Sequence, residues 1–352
     1  MLRRLSVGLL ASALAIAPLP TKAQDGTAED LGDVMSISLA DVVKPTIGLQ
    51  GALQGAGTPN QIGVGGFIPL KINKNSLWFA DIQAKANFAD FDGYSSIINT
   101  DVDGLTVSTS SRVGYRWLNG DRSWMFGVHG GYDSRPMNTG GTDTGRRVRD
   151  KKSVFFQQAA LSLEAAERTG WSFNSYALIP FGDIEQRIND CYLAGALYTY
   201  GFDVSRQVSS GLNLTAGYYY QLNDMEHIHG SGFRTRVSYD LSRRMTAGVS
   251  YSYDDGYESR VSGDIRITLG PKGHNKGNNA DDRFIFDLLT KSPENRDVRV
   301  HDDFEYCMLG GITEYCEYCQ DSIQDYCDKL NLGEATNVFC SDEYCTGCCL
   351  DH

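Results

Sequence analysis

The sequence predicts an exported all-β chain: a transmembrane antiparallel β-barrel of about twelve strands, with a small Cys-rich C-terminal module. A leader-like N-terminus marks the chain for export. Apolar residues recur at every second position in segment after segment, and the gaps between those segments alternate between short and long. A period of two belongs to strands, whose successive side chains point to opposite faces.

The N-terminus reads MLRRLSVGLLASALAIAPLPTKAQD. Arg3 and Arg4 form a positive region, Leu5 to Pro18 is apolar, and Thr21-Lys22-Ala23 places small residues where a signal peptidase reads them. Met1–Ala23 is therefore expected to be a signal peptide, and residues 24–45 a periplasmic N-terminal segment. The apolar run falls short of the ~20 residues of a spanning helix. No later run reaches that length, so a membrane span has to be a closed barrel, which leaves no strand edge in lipid.

Ser76 to Phe88, SLWFADIQAKANF, shows the pattern most plainly. Trp78, Ala80, Ile82, Ala84, Ala86 and Phe88 share one face, while Phe79, Asp81, Gln83, Lys85 and Asn87 share the other. Before it, 46–54 offers Ile47, Leu49 and Leu53, and 61–70 offers Ile62, Val64, Ile68 and Leu70. Segment 105–117 sets Leu105, Val107, Val113, Tyr115 and Trp117 against Arg112 and Arg116, and 122–133 sets Trp124, Phe126, Val128 and Tyr132 against His129 and Asp133. Segments 154–168, 171–181, 191–203 and 211–222 repeat the alternation, with Glu164 on the polar face of the first. The last three run Phe233–Tyr239, Met245–Tyr253 and Val261–Leu269. Most approach the ~9–11 residues of a tilted membrane strand, and an even count is usual in bacterial single-chain barrels.

Connections after the even strands are short (KINKN, LNGD, TG, a VSRQVSS turn and SRR), whereas Ala89–Gly104, Ser134–Ser153, Gly182–Asp190, Asn223–Ser231 and Asp254–Ser259 follow odd strands. Short periplasmic turns and longer outer loops characterise outer-membrane barrels, and Greek-key sandwiches lack that rhythm. Trp78, Trp117, Trp124, Trp171 and Phe181 sit near strand ends, as in interfacial girdles. The apolar faces are thus assigned to lipid. The opposite faces, with Asp81, Lys85, Arg112, Arg116, Asp133, Glu164, Arg234, Arg236, Asp240, Asp264 and Arg266, are assigned to the lumen.

At 352 residues, with 41% hydrophobic and 11% aromatic residues, the chain is not of disordered composition. The net charge of −12 resides in the tail: His301 to His352 holds 12 Asp/Glu and one Lys, a net of −11. That distribution is compatible with a barrel and argues against nucleic acid as a partner.

Thr46 to Gly270 resembles the inverse autotransporter β-domain, the translocation barrel of intimin- and invasin-type adhesins. The resemblance rests on Phe67-Ile68-Pro69-Leu70, Phe79 to Gln83, Arg112-Val113-Gly114-Tyr115-Arg116, Trp124 to Gly131-Tyr132-Asp133, Leu161 to Glu164, and Asn174-Ser175-Tyr176-Ala177-Leu178-Ile179-Pro180. It implies twelve strands over 46–270 and an outer-membrane anchor that passes a C-terminal passenger through its lumen. Outer-membrane lipid, the barrel-assembly machinery and periplasmic chaperones are then the expected partners. A segment after the barrel occupies the pore in that family. Asp281 to Thr290, within 271–300, is a candidate for it, with a periplasmic linker helix as the other reading. Where the family carries a long array of immunoglobulin-like repeats, Pro271–His352 follows here, and adhesion is left open.

The tail, 301–352, contains Cys307, Cys316, Cys319, Cys327, Cys340, Cys345, Cys348 and Cys349, while Cys191 stands alone in the barrel. Cys316/Cys319 and Cys345/Cys348 have the spacing of zinc ligands. In an oxidising compartment a disulfide-stapled module fits the same pattern, with pairing undetermined. No cofactor is expected. Two further function classes stand beside the anchor-translocator: a passive porin-like channel, for which a polar lumen is equally suited, and an outer-membrane hydrolase. For the hydrolase the one suggestive stretch is Asn223 to Gly230, NDMEHIHG, without a nucleophile motif. No catalytic residue is assigned.

Overall fold

The computed structural model describes residues 37–223, 229–270, 280–305, 335–340 and 345–349. The proposed signal peptide and the loop Asp224–Ile228 lie outside them, as do the side chains of all eight tail cysteines.

Twelve antiparallel strands close on themselves. In spatial order they are β1 (Thr46–Ala52), β2 (Asn60–Ile72), β3 (Ser76–Phe88), β5 (Thr106–Leu118), β6 (Trp124–Thr142), β7 (Ser153–Glu167), β8 (Trp171–Pro180), β11 (Tyr198–Ser209), β12 (Leu212–Leu222), β13 (His229–Ser242), β14 (Met245–Asp254) and β15 (Glu258–Leu269). Closure is made by β1, which pairs with β2 through Leu49↔Val64 and with β15 through Leu49↔Ile267. Every barrel strand thus has two neighbours and no edge remains, as a sheet in lipid requires.

Pairing registers put the alternating apolar residues on one continuous surface. Ile82 faces Ser111 and Gly66 across its neighbours, and Val113 faces Ala80 and Gly130. Ile47, Ile62, Val64, Leu70, Ile82, Leu105, Val113, Leu163, Val237, Val249 and Val261 are all exposed, and Val261 reaches 61%. An exposed apolar surface on this scale is stable against lipid and not against water. An aromatic arc follows the short-turn end: Trp78–Tyr115, Tyr115–Trp117, Trp117–Phe126, Trp124–Phe126, Trp124–Phe173 and Phe173–Phe202 have ring centroids 4.9–6.4 Å apart. Pro69, which has no N–H to give the ladder, sits where the β2–β3 register shifts between Pro69 and Lys71.

Two elements differ from the sequence reading. Strand β6 runs on to Thr142, because its continuation past Asp133 pairs in full with β7 as far as Asn138↔Ser153. The segment expected as one strand over 191–203 is two. Tyr192–Ala196 (β10) leaves the wall to pair with β9 (Glu185–Arg187) and with β16 (Val300–Phe304), and the barrel resumes at Tyr198. Alternation alone cannot show to which sheet a strand belongs.

Inside the barrel the side chains form three layers. At the short-turn end Phe67, Leu77, Phe79, Leu118, Met125 and Ala166 are buried, and Phe67 stacks on Phe79 at 5.2 Å. Helix α2 (Ala280–Leu289) lies against β6 and β7, with Ile285, Phe286 and Leu289 buried. A charged layer follows. At the long-loop end β4 (Thr100–Asp103), β9, β10, β16 and their loops enclose a second apolar core of Ile97, Val102, Met137, Phe156, Ile188 and Val300, among others. The short helix α1 (Leu39–Val42) also belongs to the short-turn end: Arg122, in the β5–β6 turn, donates to the Ile37 and Lys74 carbonyls at 2.6 and 2.9 Å. Apart from these, Ala335–Cys340 (β17) and Cys345–Cys349 (β18) form a two-stranded sheet.

Candidate functional site

The charged layer holds a segment of the chain itself. From Leu289 to Glu305 the backbone climbs from the short-turn end to the loops, and its partners climb the wall in step. Arg116 donates to the Leu289 and Lys291 carbonyls at 2.9 and 2.8 Å, and Ser292 donates to Asp81 at 2.6 Å. Higher up, Arg112 donates to the Asn295 carbonyl at 3.3 Å, and Arg296 forms an ion pair with Asp81 at 2.7 Å. Lys85 binds Asp297 at 2.6 Å, and Arg135 donates to the carbonyls of Val298 (2.9 Å) and Gly57.

The charged residues of this strap from Lys291 to Arg299 each meet a complementary group. Glu294 is held by Arg266 at 3.4 Å and by its neighbour Lys291 at 3.0 Å, and the Arg299 guanidinium lies 4.6 Å from the Tyr219 ring centroid. Wall residues are paired with one another as well. Arg112 makes a two-pronged contact with Asp133 (2.8 and 2.7 Å), and Arg116 makes another with Glu164 (2.8 and 2.9 Å). His129 lies 3.4 Å from Glu164. Across the lumen Arg234 pairs with Asp203 and Arg236 with Asp264. Buried charges are tolerable only when paired and hydrogen-bonded in this way.

The sequence-selected residues therefore divide as follows. Asp81, Lys85, Arg112, Arg116, Asp133 and Glu164 are gathered along the strap from β3, β5, β6 and β7; Arg234, Arg236, Asp264 and Arg266 stand on the opposite wall. Asp240 is exposed and accepts a bond from Thr246 at 2.7 Å near a short turn. The strap's own charges, Lys291, Glu294, Arg296, Asp297 and Arg299, went unselected. Their signal is the alternating signs of KSPENRDVRV between the helix and the acidic tail.

At the top, β16 adds a strand to the loop sheet through Ala194↔Asp302. Asp302 accepts from the Asn99 and Thr100 amides at 2.8 Å each, and its own amide donates to Ile97 O at 3.0 Å. Burial in this loop layer pushes the Asp302 carboxyl up to about 7, against the pull of those amides, and holds the neighbouring His301 imidazole down at about 4. Arg187 pairs with Glu305, whose amide donates to Cys191 O at 3.1 Å. Cys191 is not alone: it is disulfide-bonded, and the other eight cysteines all follow residue 305. A gap lined by Asn87, Ser108, Ser134, Arg135 and Asp297 has room for about one water. Among the described residues no three His, Cys, Asp or Glu side chains are grouped to hold a metal.

The sequence matches no protein-family model and no curated protein. Among solved structures it is similar to a membrane protein from a study of in-meso crystallization, with a TM-score of 0.50 and 11% identity over 73% of this chain and 100% of that one. Looser likenesses are the translocator domain of the autotransporter NalP from Neisseria meningitidis (0.40, 15%, 69% and 93%) and the KdgM porin (0.35, 8%, 64% and 99%). At these identities likeness speaks to fold, and the first is the one close enough to carry weight. Together with the closed wall and its apolar exterior, it defines the fold class: the chain is a closed antiparallel β-barrel of twelve strands.

Proposed function

We propose that the protein is an anchor and translocator of the inverse autotransporter type, which holds its C-terminal segment, 306–352, on the cell surface. One observation carries this reading: after the last barrel strand, residues 289–305 run through the lumen and reach the long loops at Glu305. Long loops face outward in outer-membrane barrels, so residues beyond 305 start on the outer side. The matched charges of the strap favour a resident segment over a cargo in transit. A passing passenger would leave Asp81 and Lys85 without charged partners for most of its length.

The strap weighs against the porin-like alternative, because it fills the space that ions would use. A hydrolase has less support: its one suggestive stretch, Asn223–Gly230, comes without a nucleophile motif, and Asp224–Ile228 within it lies outside the described residues. The test is a peptide tag fused after His352. Labelling by antibody on intact cells, with removal by external protease, is the expected result; a tag reached only after permeabilisation overturns the proposal.

A further inference from the structure

On the outer surface of β7 and β8 the apolar belt ends, toward the long loops, at Phe155 and Phe181, which are 47% and 43% exposed. The Phe181 amide donates to Gln157 O at 3.2 Å, so the two strand ends stand side by side. Just beyond Phe155 the medium changes. Residues 146–152 of the loop between β6 and β7 read RRVRDKK, five cations and one acid. Arg147, Arg149, Lys151 and Lys152 are exposed, and none has an ion-pair partner among the described residues. Arg146 differs, with its guanidinium 4.2 Å from the ring centroid of Phe304.

Like charges so close repel one another, yet the backbone pins them in place. Thr142 Oγ1 donates to Arg146 O at 2.5 Å, and the Lys152 amide donates to Ile188 O at 3.0 Å. Between these anchors the Arg149 amide donates to Asp190 Oδ1 at 2.7 Å, the Asp190 amide returns a bond to Arg149 O at 3.1 Å, and Val148 packs on the outer apolar core. We propose that Arg147, Arg149, Lys151 and Lys152 bind the phosphate groups of a glycolipid of the outer leaflet, whose acyl chains lie along Phe155 and Phe181. The layering selects this partner: cations directly beyond an apolar belt match the two ends of a phosphorylated lipid, whereas a soluble polyanion would have no use for the belt. Guanidinium forks grip two phosphate oxygens at once, and lysines add point charge. Basic clusters at a membrane surface draw anionic headgroups in this way.

The inference rests on the proposed function for the leaflet alone; the binding itself is tested on purified protein. Full-length chain in lipid-free detergent micelles is titrated with diphosphoryl lipid A, and the lipid retained is read by native mass spectrometry. Its dephosphorylated form and inorganic pyrophosphate serve as the separate arms. Diphosphoryl lipid A should be retained several-fold better than the dephosphorylated form, and pyrophosphate at equal phosphate concentration should displace little of it. Arg147→Ser, Arg149→Ser, Lys151→Ser and Lys152→Ser together should abolish the preference. The same change at four exposed cations of the short turns, Lys71, Lys74, Arg243 and Arg244, should leave it intact, with the compact band in cold electrophoresis confirming that both variants fold. Retention indifferent to the phosphates, equal loss in both variants, or full displacement by pyrophosphate overturns the proposal, the last by showing a site for free phosphate only. A tag hidden on intact cells with the preference present would sink the surface display and leave the phosphate site standing; an exposed tag without the preference would do the reverse.

Discussion

Arg112 and Asp133, on adjacent strands β5 and β6, form a bidentate ion pair from which both side chains exclude solvent completely, and the same Arg112 nitrogen donates to the strap at Asn295. Ser110 and Gln158 complete the carboxylate at 2.6 and 2.9 Å. Removing one partner leaves the other charge buried without its counter-ion. Arg112→Ala should therefore lower stability by about 3–5 kcal/mol, while Arg112→Met combined with Asp133→Leu should cost markedly less than the single change. Urea unfolding in detergent, followed by loss of the compact band in cold electrophoresis, measures both. A single variant as stable as the parent would show that the pair carries little.

On the proposed reading the strap plugs the lumen. In planar bilayers the wild-type chain should be electrically silent. Arg296→Ala with Asp297→Ala strips Asp81 and Lys85 of their charged strap partners, leaving Asp81 only Ser292, and should produce intermittent openings. Steady large conductance from the wild type would restore the porin reading.

Asp302 and His301 give the loop layer opposite responses to pH. The Asp302 carboxyl rises from 3.8 to about 7 on folding, so its contribution is full below about 4 and is lost as pH climbs toward 7. His301 falls from 6.5 to about 4, so its contribution is full above 6.5 and is lost on acidification toward 4. The two offset each other across that window. His301→Gln should leave a protein whose thermal midpoint rises as pH falls from 7 to 4, and Asp302→Asn one whose midpoint falls over the same range. Each slope is at most about 1.4 kcal/mol per pH unit. Parallel profiles in the two variants would refute the assignment.

Cys191 should appear in non-reducing peptide maps joined to a tail peptide, and Cys307 is the expected partner. Glu305 N is 3.1 Å from Cys191 O, and two further residues span at most ~7 Å, which matches the ~4.4–6.8 Å between Cα atoms of a cystine. Cys316 lies eleven residues beyond Glu305. A map joining Cys191 to Cys316 or later would show that the tail folds back before it is tied.

Why the wall could be read from the sequence and the plug could not is visible in single residues. Ile82 and Asp81 differ in medium, and a period of two records the medium directly. The strap has no period because it is fixed by individual partners. Arg296 binds Asp81 and Asp297 binds Lys85 across more than 200 positions, and no local pattern encodes such pairs. For the same reason Tyr192–Ala196 reads as wall. Its alternation serves the loop core, in which Tyr192, Ala194 and Ala196 are buried with Val300, and polarity alone cannot tell lipid from that core. Cys191 looks solitary in the sequence because every other cysteine, its disulfide partner included, lies more than a hundred positions further on.

Gly131 shows how closely the wall is built around the lumen charges. It faces Arg112 in the β5–β6 register, and a Cβ placed on it would lie 1.8 Å from the Ser111 carbonyl oxygen, with the Arg112 Cα at 3.0 Å. Both are backbone atoms, which no rotamer change can move aside. Gly131→Ala therefore has to spread β5 from β6 beside the Arg112–Asp133 pair and should cost about 1–3 kcal/mol or more, in the range of overpacked cores. Gly120, in the β5–β6 turn, meets nothing within 4 Å, so Gly120→Ala is the matched control and should stay within about 0.5 kcal/mol. Unfolding midpoints of the two variants, measured side by side, decide it. Equal midpoints would mean that β5 and β6 sit farther apart at Gly131 than described.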